Sequence, residues 1–408
     1  MKFIHLADAH LDSPFLGLSF LPSAEKQNIL QAANRSFAKI VQCALEEQVD
    51  LVLLAGDIFD SDHPSPASQL FFSQQLKRLT DAEVQVVMVF GNHDHMSPND
   101  LLVQPSQYFH LLGADEKVEQ VHLQTNSGFA YSVTGFSYLQ NHIQTDLASQ
   151  MPAKNGTEFA FGLFHAGEAA GIKQHDVYAP FTRDDLQRLD YDYFALGHIH
   201  HRQMLLEHPL AVYPGNIQGR HSNELGDKGC YLGTVDETSH EVNLQFIKTG
   251  QPVWLELQVE LSHLLSMQEL TQFLLDQLNQ QLTEKTYICL RLVNAQFLSD
   301  KEVEMLQDTE YWQDLSQQLK DVSYLVKVNL ISQKQLLIKE QDRPAFVKAE
   351  QELLTGEALT EVGQDLGKKS AVLAEQLQDK QFQQEVFDLT HSKLQRYLRG
   401  LTDETNAD

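Results

Sequence analysis

Val86-Val87-Met88-Val89-Phe90 is an apolar run that ends on Gly91 and then on Asn92, His93 and Asp94. An amide, an imidazole and a carboxylate stand together there, and such groups hold divalent metals or move protons. Four other apolar runs end in the same way. Phe3 to Ala7 leads into Asp8 and His10, and Leu51 to Ala55 leads through Gly56 into Asp57 and Asp60. Phe159 to Phe164 leads into His165, and Tyr193 to Leu196 leads through Gly197 into His198 and His200.

The types and spacings suggest a two-ion site. Asp8 and His10 lie two apart on a strand tail, so their side chains leave on one face and can chelate one ion. Asp57 offers two oxygens and can bridge that ion to a second. Asn92 and His165 then complete the second shell, and His198 and His200 can each serve one ion. Oxygen and imidazole donors without thiolates suit manganese, iron, magnesium or zinc, and the mixed set leans toward manganese or iron. Two such ions ~3.5 to 4 Å apart generate a nucleophile from water and clamp the non-reacting oxygens of a phosphoryl group. His93 follows Asn92 and faces elsewhere on an extended tail, where it can protonate a leaving oxygen or stabilise transition-state charge. Asp60 is placed to fix its tautomer.

Singly, a strand-end His or Asp is more often a satisfied structural group than a ligand, and His5, His95, His201 and His221 carry no more than that. Five such ends in one chain make coincidence a poor explanation. There is no Gly-x-Ser-x-Gly elbow for Ser/His/Asp catalysis, and no glycine-rich phosphate loop of an ATPase or dehydrogenase.

Near-continuous apolar runs are what strands covered on both faces look like, and in such sheets ligands gather beyond the carboxyl ends. Lys2 to Ala7 is the first strand. A long helix opened by Pro22 and Ser23 buries Ile29, Ala33, Phe37, Ile40, Val41, Ala44 and Leu45 and returns the chain to the Leu51 strand. A second crossover, with Leu70, Phe71, Phe72, Leu76 and Leu79 as its buried face, leads to Val86. Residues 97–158 read as peripheral hairpins. After His201 the pattern is strand: Ala211 to Tyr213, Gly229 to Val235 and Glu241 to Ile247 form an antiparallel sheet expected to pack against the first. The fold class is α/β, a four-layer α-β-β-α domain over residues 1–248, with Thr249 to Pro252 as linker. A smaller α+β capping domain follows over residues 253–333. It has strands at Trp254 to Val259, Tyr287 to Val293 and Tyr324 to Ile331, a helix from Ser266 to about Leu282, and a helical stretch at Trp312 to Leu319. Residues 334–408 form a helical C-terminal region with Phe387, Leu394, Leu398 and Leu401 on one stripe.

The 408 residues, 42% of them hydrophobic, are ample for two or three domains. Met1-Lys2 passes directly into a strand and no apolar run reaches the ~20 residues of a membrane span, so neither a leader nor a membrane segment is expected. Three unpatterned cysteines (Cys43, Cys230, Cys289) fit a reducing cytoplasm and exclude a thiolate zinc site. The charge balance is awkward for a polyanionic substrate. With 30 basic and 56 acidic residues the net charge is −26, whereas nucleic-acid binders usually carry a basic footprint.

The series Asp8-x-His10, Gly56-Asp57-x-x-Asp60, Gly91-Asn92-His93-Asp94, His165 and Gly197-His198-x-His200 resembles the motif set of the calcineurin-like metallophosphoesterase superfamily. Phe3 to Asp12 and Tyr213 to Arg220 narrow the resemblance to the SbcD-like nuclease branch, most of all to YhaO-type bacterial DNA-repair exonucleases. The match covers residues 1 to about 235. It implies a first ion held by Asp8, His10, Asp57 and His200, and a second held by Asp57, Asn92, His165 and His198. His93 would be the catalytic histidine with Asp60 as its partner, and the two ions would be manganese. DNA is the implied substrate and an SMC-like coiled-coil ATPase the implied partner, with a homodimer as one arrangement and no membrane. Ser61 stands where phosphoprotein phosphatases of this superfamily often carry an arginine, which weakens a phosphomonoesterase reading. Arg202, Arg220 and Lys228 are candidate phosphate contacts. Two other readings stay open: a small-substrate phosphodiesterase or nucleotidase, which the acidic balance supports, and an adaptor subunit whose cap and closing helix dock an ATPase.

Overall fold

The computed structural model describes residues 1–332 apart from residue 16 and residues 170–177, together with residues 344, 348, 382–384, 386 and 390. The chain divides into two units, Met1–Trp254 and Leu255–Asp408. The helical stripe expected at Phe387, Leu394, Leu398 and Leu401 lies outside the described residues.

The first unit opens with β1 (Lys2–Leu6), α1 (Ser23–Leu30), α2 (Ala32–Glu46), β2 (Leu51–Ala55), α3 (Pro66–Asp81) and β3 (Gln85–Val89). It continues with β4 (Phe109–Leu111), β5 (Glu119–Gln124), β6 (Ala130–Gly135), β7 (Phe159–His165), α4 (Arg183–Leu189) and β8 (Tyr193–Gly197). The last strands are β9 (Gln203–Leu206), β10 (Leu210–Tyr213), β11 (Gly229–Val235) and β12 (Val242–Lys248). They form two six-stranded sheets, β12-β11-β1-β2-β3-β4 and β5-β6-β7-β8-β10-β9.

Both faces of the central strands are apolar, as expected of sheets buried on two sides. Alternation along each strand assigns its residues to two cores. Phe3, Leu53, Val87 and Val89 of the first sheet meet Tyr131, Phe161, Tyr193 and Val212 of the second in the layer between the sheets. Phe3 makes edge contacts with Phe161 (ring centroids 5.2 Å apart) and Tyr193 (4.9 Å). Ile4, Val52, Leu54 and Met88 point the other way, onto Phe37, Ile40 and Val41 of α2 and Phe72, Leu76 and Leu79 of α3. Phe164, Phe194 and Leu196 pack outward against Leu186 and Leu189 of α4. The result is helix, sheet, sheet, helix.

Four local expectations change. The helix opened at Ser23 is two helices with a break at Gln31 (φ −97°, ψ 3°). Leu70 on α3 is 57% exposed, because Phe72, Leu76 and Leu79 already define the buried stripe and Leu70 falls off it. Within 97–158, β6 is no peripheral hairpin strand but an interior one between β5 and β7, buried from Tyr131 to Gly135. Its polar residues disguised it: Thr134 Oγ1 accepts hydrogen bonds from Gln120 Nε2 (2.9 Å) and the Tyr191 hydroxyl (3.2 Å), which is how a threonine is kept inside a sheet. Finally, the strands after His201 do not make one sheet facing the first. β9 and β10 extend the second sheet, β10 lying parallel to β8, while β11 and β12 join the first, β11 lying antiparallel to β1. Periodicity marks a strand but does not choose its neighbour.

Thr249 to Trp254, read as linker and first residues of the next domain, is fastened to the first unit. The Thr249 hydroxyl meets Ser36 Oγ at 2.7 Å, Gly250 N–H donates to the Lys228 carbonyl (3.0 Å), and the Trp254 indole donates to the Gly219 carbonyl (2.8 Å).

A three-stranded sheet, β13 (Val253–Glu260), β14 (Thr286–Val293) and β15 (Tyr324–Ile331), in that order, belongs to the second unit from Leu255 onward. The helices of this unit are α5 (Met267–Gln281), α6 (Asp300–Gln307) and α7 (Thr309–Ser316). Ser266 and Glu269 close a reciprocal capping box on α5. Leu270, Leu274 and Leu278, one turn apart, pack with Ile288, Leu290 and Leu292. Among the described residues no helix is long and apolar enough to cross a membrane.

His5 lies on the face of β1 that looks between the sheets, fully buried, with Nδ1 2.9 Å from the Tyr193 hydroxyl and Nε2 3.2 Å from the Leu196 carbonyl. Burial outweighs the Leu196 hydrogen bond and holds its pKa down to about 3 from 6.5. The unfolded chain therefore takes up a proton first, so stability is complete above pH 6.5 and falls as pH drops toward 3. His5→Gln removes this dependence. In paired denaturant titrations the wild type is expected to lose up to about 1.4 kcal/mol per pH unit more than the variant below about pH 6; parallel pH profiles would contradict the assignment.

Candidate metal centre

The carboxyl ends of β1, β2 and β3 in one sheet and of β7 and β8 in the other open onto a common crevice. Strand geometry alone does not bring their side chains together. β1 ends at Leu6, and Asp8 (φ 51°), His10 (φ 43°), Asp57 (φ 52°) and His198 (φ 98°) all have left-handed backbone. Such φ values are uncommon outside glycine and persist only where surrounding bonds over-determine them. Here Asp8 N–H donates to the Gly56 carbonyl (3.1 Å) and His10 N–H to the Asp57 carbonyl (3.0 Å). Asp8 and His10 thus converge through two left-handed turns, not through the same-face alternation of a strand tail.

Seven donors meet. His10 Nε2 and His200 Nε2 stand 3.1 Å apart, and Asp8 Oδ1 lies 3.7 Å from the latter. Asp57 Oδ2 is 3.8 Å from His10 Nε2 on one side and 3.3 Å from His165 Nε2 on the other. Asn92 Oδ1 faces His165 Nε2 at 3.1 Å and His198 Nδ1 at 3.3 Å. Asp8, His10, Asp57 and His165 are buried to within 2% of full coverage, Asn92 is 7% exposed, and His198 and His200 are half-buried. Asp8, His10 and His200 form one group of mutually close ligand atoms; Asp8, Asp57 and His165 form another.

Electrostatics and hydrogen-bond chemistry both call for cations. Two imidazole Nε2 atoms 3.1 Å apart need either a proton shared between them or a cation that both lone pairs can face. Burial works against ionising Asp57, yet the charge and hydrogen bond of His165, followed by His10 and His93, hold its carboxyl far below the usual range. Reciprocally, His165 is raised to about 9, because Asp57 and Asp8 together overcome its desolvation. His198 is pushed down to about 3 by burial and by the nearby charge of His165. A proton on His165 is thus a stand-in countercharge, and nitrogen and oxygen donors without thiolates fit a pair of borderline or hard divalent ions.

The remaining candidates fall into place differently. His93 is exposed at the mouth, with its backbone N–H donating to Asp57 Oδ1 (2.9 Å). Its Nδ1 lies 3.3 Å from the Asp60 backbone carbonyl, so the expected contact with Asp60 runs through the main chain. The Asp60 carboxylate turns instead to Arg220 Nη1 (2.5 Å) and His10 Nδ1 (2.9 Å). Of the candidate phosphate contacts, Arg220 is paired internally and Lys228 is buried with Nζ on the His200 carbonyl (3.1 Å). Arg202 is exposed and lies 3.8 Å over the Phe246 ring. His95 Nδ1 meets the Asn92 carbonyl at 2.9 Å.

Two further residues support the site: Asp94, which the sequence sets beside Asn92 and His93 without a role of its own, and Glu224, which neither spacing nor type marks. Asp94 is fully buried and accepts from the N–H groups of Gly91 (2.6 Å) and Ile58 (2.7 Å), tying the β3 end to the β2 end. Burial, then the charge of Asp57, raises its pKa to about 7. Its place directly after Asn92-His93 was the available signal. Glu224 Oε1 meets His200 Nδ1 at 2.6 Å. Burial would raise its pKa, but His200, Arg220 and His221 hold it low. It sits four residues beyond Arg220 in a loop, with no periodicity to mark it.

Comparison with known proteins gives a consistent picture. The family model described as calcineurin-like phosphoesterase matches residues 1–202. The chain is 36% identical over 294 residues to the uncharacterized metallophosphoesterase YhaO of Bacillus subtilis, covering 72% of this chain and 71% of that one. It is 24% identical to the DNA double-strand break repair protein Mre11 of Thermoplasma acidophilum, covering 60% of this chain and 64% of that protein. It is 22% identical to the D component of the SbcCD nuclease of Staphylococcus epidermidis, with 60% of this chain and 69% of that one covered.

The crevice is so tight that a Cβ on Gly91 would lie 2.2 Å from Asp57 Oδ1, and one on Gly56 (φ +82°) 2.7 Å from His165 Cβ. Gly91→Ala is therefore expected to push Asp57 aside. Calorimetric titration with Mn2+ should show affinity weakened by about 10- to 100-fold, the range for disturbed ligand support, while far-ultraviolet circular dichroism stays unchanged. Wild-type affinity in this variant would mean Asp57 is no ligand.

Proposed function

This chain belongs to the calcineurin-like phosphoesterase family, and from that premise we propose that it is a two-metal phosphodiesterase acting on DNA in repair. It is a metal-dependent phosphoesterase; the finer reading rests on one observation, the convergence of seven nitrogen and oxygen donors from five strand ends. In this reading Asp8, His10, Asp57 and His200 hold one ion, and Asp57, Asn92, His165 and His198 hold the other. Asp57 is shared because its Oδ2 faces both groups. When bound, the ions, manganese as the family resemblance implies, would supply a water-derived nucleophile at neutral pH and neutralise charge on the phosphoryl oxygens.

The protein's own groups then do the rest. The Asp60 carbonyl accepts from His93 Nδ1–H, so in the doubly protonated ring it is the Nε2 proton that is free to pass to the leaving oxygen, leaving the neutral Nδ1–H tautomer. Asp57 also receives the His93 backbone N–H, so the proton donor is tied to the shared ligand. The buried floor formed by Asp8, His10 and His165 keeps bulk water away from the donors.

DNA as substrate is supported by the names of relatives, a nuclease component and a double-strand break repair protein. Residues 253–333 are assigned as the capping domain of this enzyme. The net charge of −26 and the internal pairing of Arg220 and Lys228 leave few cations for phosphates, which is why a partner, an SMC-like coiled-coil ATPase, is assigned the larger share of DNA affinity. The same shortage favours the second reading, a phosphodiesterase of small substrates.

End-labelled linear duplex, a cyclic nucleotide and bis-p-nitrophenyl phosphate, each with Mn2+ and with or without the ATPase, separate the two. Chelator-sensitive cleavage of duplex is expected, and turnover confined to the small esters would replace DNA as the substrate. His93→Ala should retain both ions by calorimetry and lose about 10²- to 10⁴-fold in kcat; an unimpaired variant would remove His93 from the chemistry.

A further inference from the structure

His10 and His200 present their Nε2 atoms to each other at 3.1 Å, and each has a carboxylate behind its other nitrogen. Asp60 Oδ1 lies 2.9 Å from His10 Nδ1, and Glu224 Oε1 lies 2.6 Å from His200 Nδ1. The two carboxylates come from different parts of the chain, one beyond β2 and one in the loop between β10 and β11. One guanidinium joins them. Arg220 Nη1 is 2.5 Å from Asp60 Oδ1, Arg220 Nε is 3.6 Å from Glu224 Oε1, and Arg220 backbone N–H donates to Glu224 Oε2 at 2.7 Å. Asn216 Nδ2 donates to the same Oε2 (2.8 Å), so Glu224 is held on both oxygens.

We propose that Arg220 is a positioning residue: through Asp60 and Glu224 it sets the ring orientation of both histidines of one ion site, and it is not a phosphate contact. A carboxylate that accepts Nδ1–H fixes the tautomer with its lone pair on Nε2, the form that binds a metal. For His200 the Glu224 contact does this directly. For His10 the Asp60 contact is within ion-pair distance but out of line for a strong hydrogen bond, so Asp60 acts mainly by charge and by holding the ring in place. Arg220 keeps the two carboxylates, which would repel one another, from drifting off their histidines. The arrangement is a closed chain: His10, Asp60, Arg220, Glu224, His200, and back across the 3.1 Å gap. An arginine so engaged, with 17% of its side chain exposed, has little left for a nucleic-acid phosphate.

The inference rests on the metal-centre reading above, and the test separates the two. Calorimetric Mn2+ titrations of the full chain, wild type against Arg220→Gln, are expected to show two sites in the wild type and one weakened about 10- to 100-fold in the variant. The other site should be unchanged. In metal-free protein labelled with 15N-histidine, long-range 1H–15N spectra should give His200 as a single Nδ1–H tautomer in the wild type and as a mixture in the variant. The salt dependence of DNA binding should be the same for both. Unchanged Mn2+ affinity and unchanged tautomer, together with a salt slope reduced by about one contact, would overturn the proposal and make Arg220 a phosphate ligand. A wild type that binds no Mn2+ would sink the metal-centre reading, while the metal-free spectra would still decide the role of Arg220. Should Arg220→Gln fail to fold, Glu224→Gln decides: it keeps the shape of the side chain and must show the same selective weakening, and full affinity there ends the proposal.

Discussion

Asp8 and Asp57 lie about 1% and 2% exposed at the junction of two sheets, and that burial of negative charge governs much else in the first unit. A desolvated carboxylate is costly unless paired, because hydration is lost and an interior dielectric returns little without a partner. Backbone donors supply part of the compensation: His198 N–H reaches both oxygens of Asp8 at 3.1 and 3.2 Å, and His93 N–H reaches Asp57. These donors arrive from β8 and β3, on different sheets. The two carboxylates therefore act as a rivet between the sheet ends, and imidazoles gather around them because cations must.

Close approach is the second consequence. For His165 to sit within 3.3 Å of Asp57, the β2 and β7 ends must touch, and the glycine before Asp57 makes room where a side chain would strike the His165 ring. The residues behind the donors follow the same logic. Asp94 gathers the amides of the β2 and β3 ends, and Glu224 and Lys228 hold His200 by side chain and carbonyl. Arg220, a cation that a surface reading would offer to phosphates, is paired instead with Asp60 and Glu224 inside the site.

This explains which features were legible in the sequence. An apolar run that stops at Asp8, Asp57, Asn92, His165 or His198 announces a buried strand and the polar group at its end, since both rest on local composition. The two-sheet, four-layer plan followed from apolar residues on both faces of those strands. What failed was non-local. β6 hides Ser132 and Thr134 among apolar neighbours, and nothing local reveals that Gln120 and Tyr191 satisfy Thr134. Nor does alternation in Gly229 to Val235 reveal that its partner is β1. Side-chain direction was legible only where backbone is regular. Asp8 and His10 were placed on one face by strand alternation and reach one crevice by left-handed turns, while Asp60, expected behind His93, swings its carboxylate to Arg220. Glu224 lies in an irregular loop, where charge alone does not distinguish a metal-site residue from a solvated one.

Left-handed backbone at four of the seven donors has an energetic meaning. Each non-glycine residue held there is strained by roughly 1–3 kcal/mol, and at Asp8, His10, Asp57 and His198 that strain concentrates where negative charge is also desolvated. Neither term is relieved by hydrophobic burial, because both belong to backbone and carboxylates beyond the strand ends at Leu6, Ala55 and Gly197. Both would be offset by a ligand that needs these donors in this arrangement, because binding to the folded state alone adds free energy to the fold. The sheets thus supply the stability that holds a strained set of donors ready, and cation binding returns stability to the strand ends. Fold and metal centre are two halves of one equilibrium in which neither set of interactions is complete without the other.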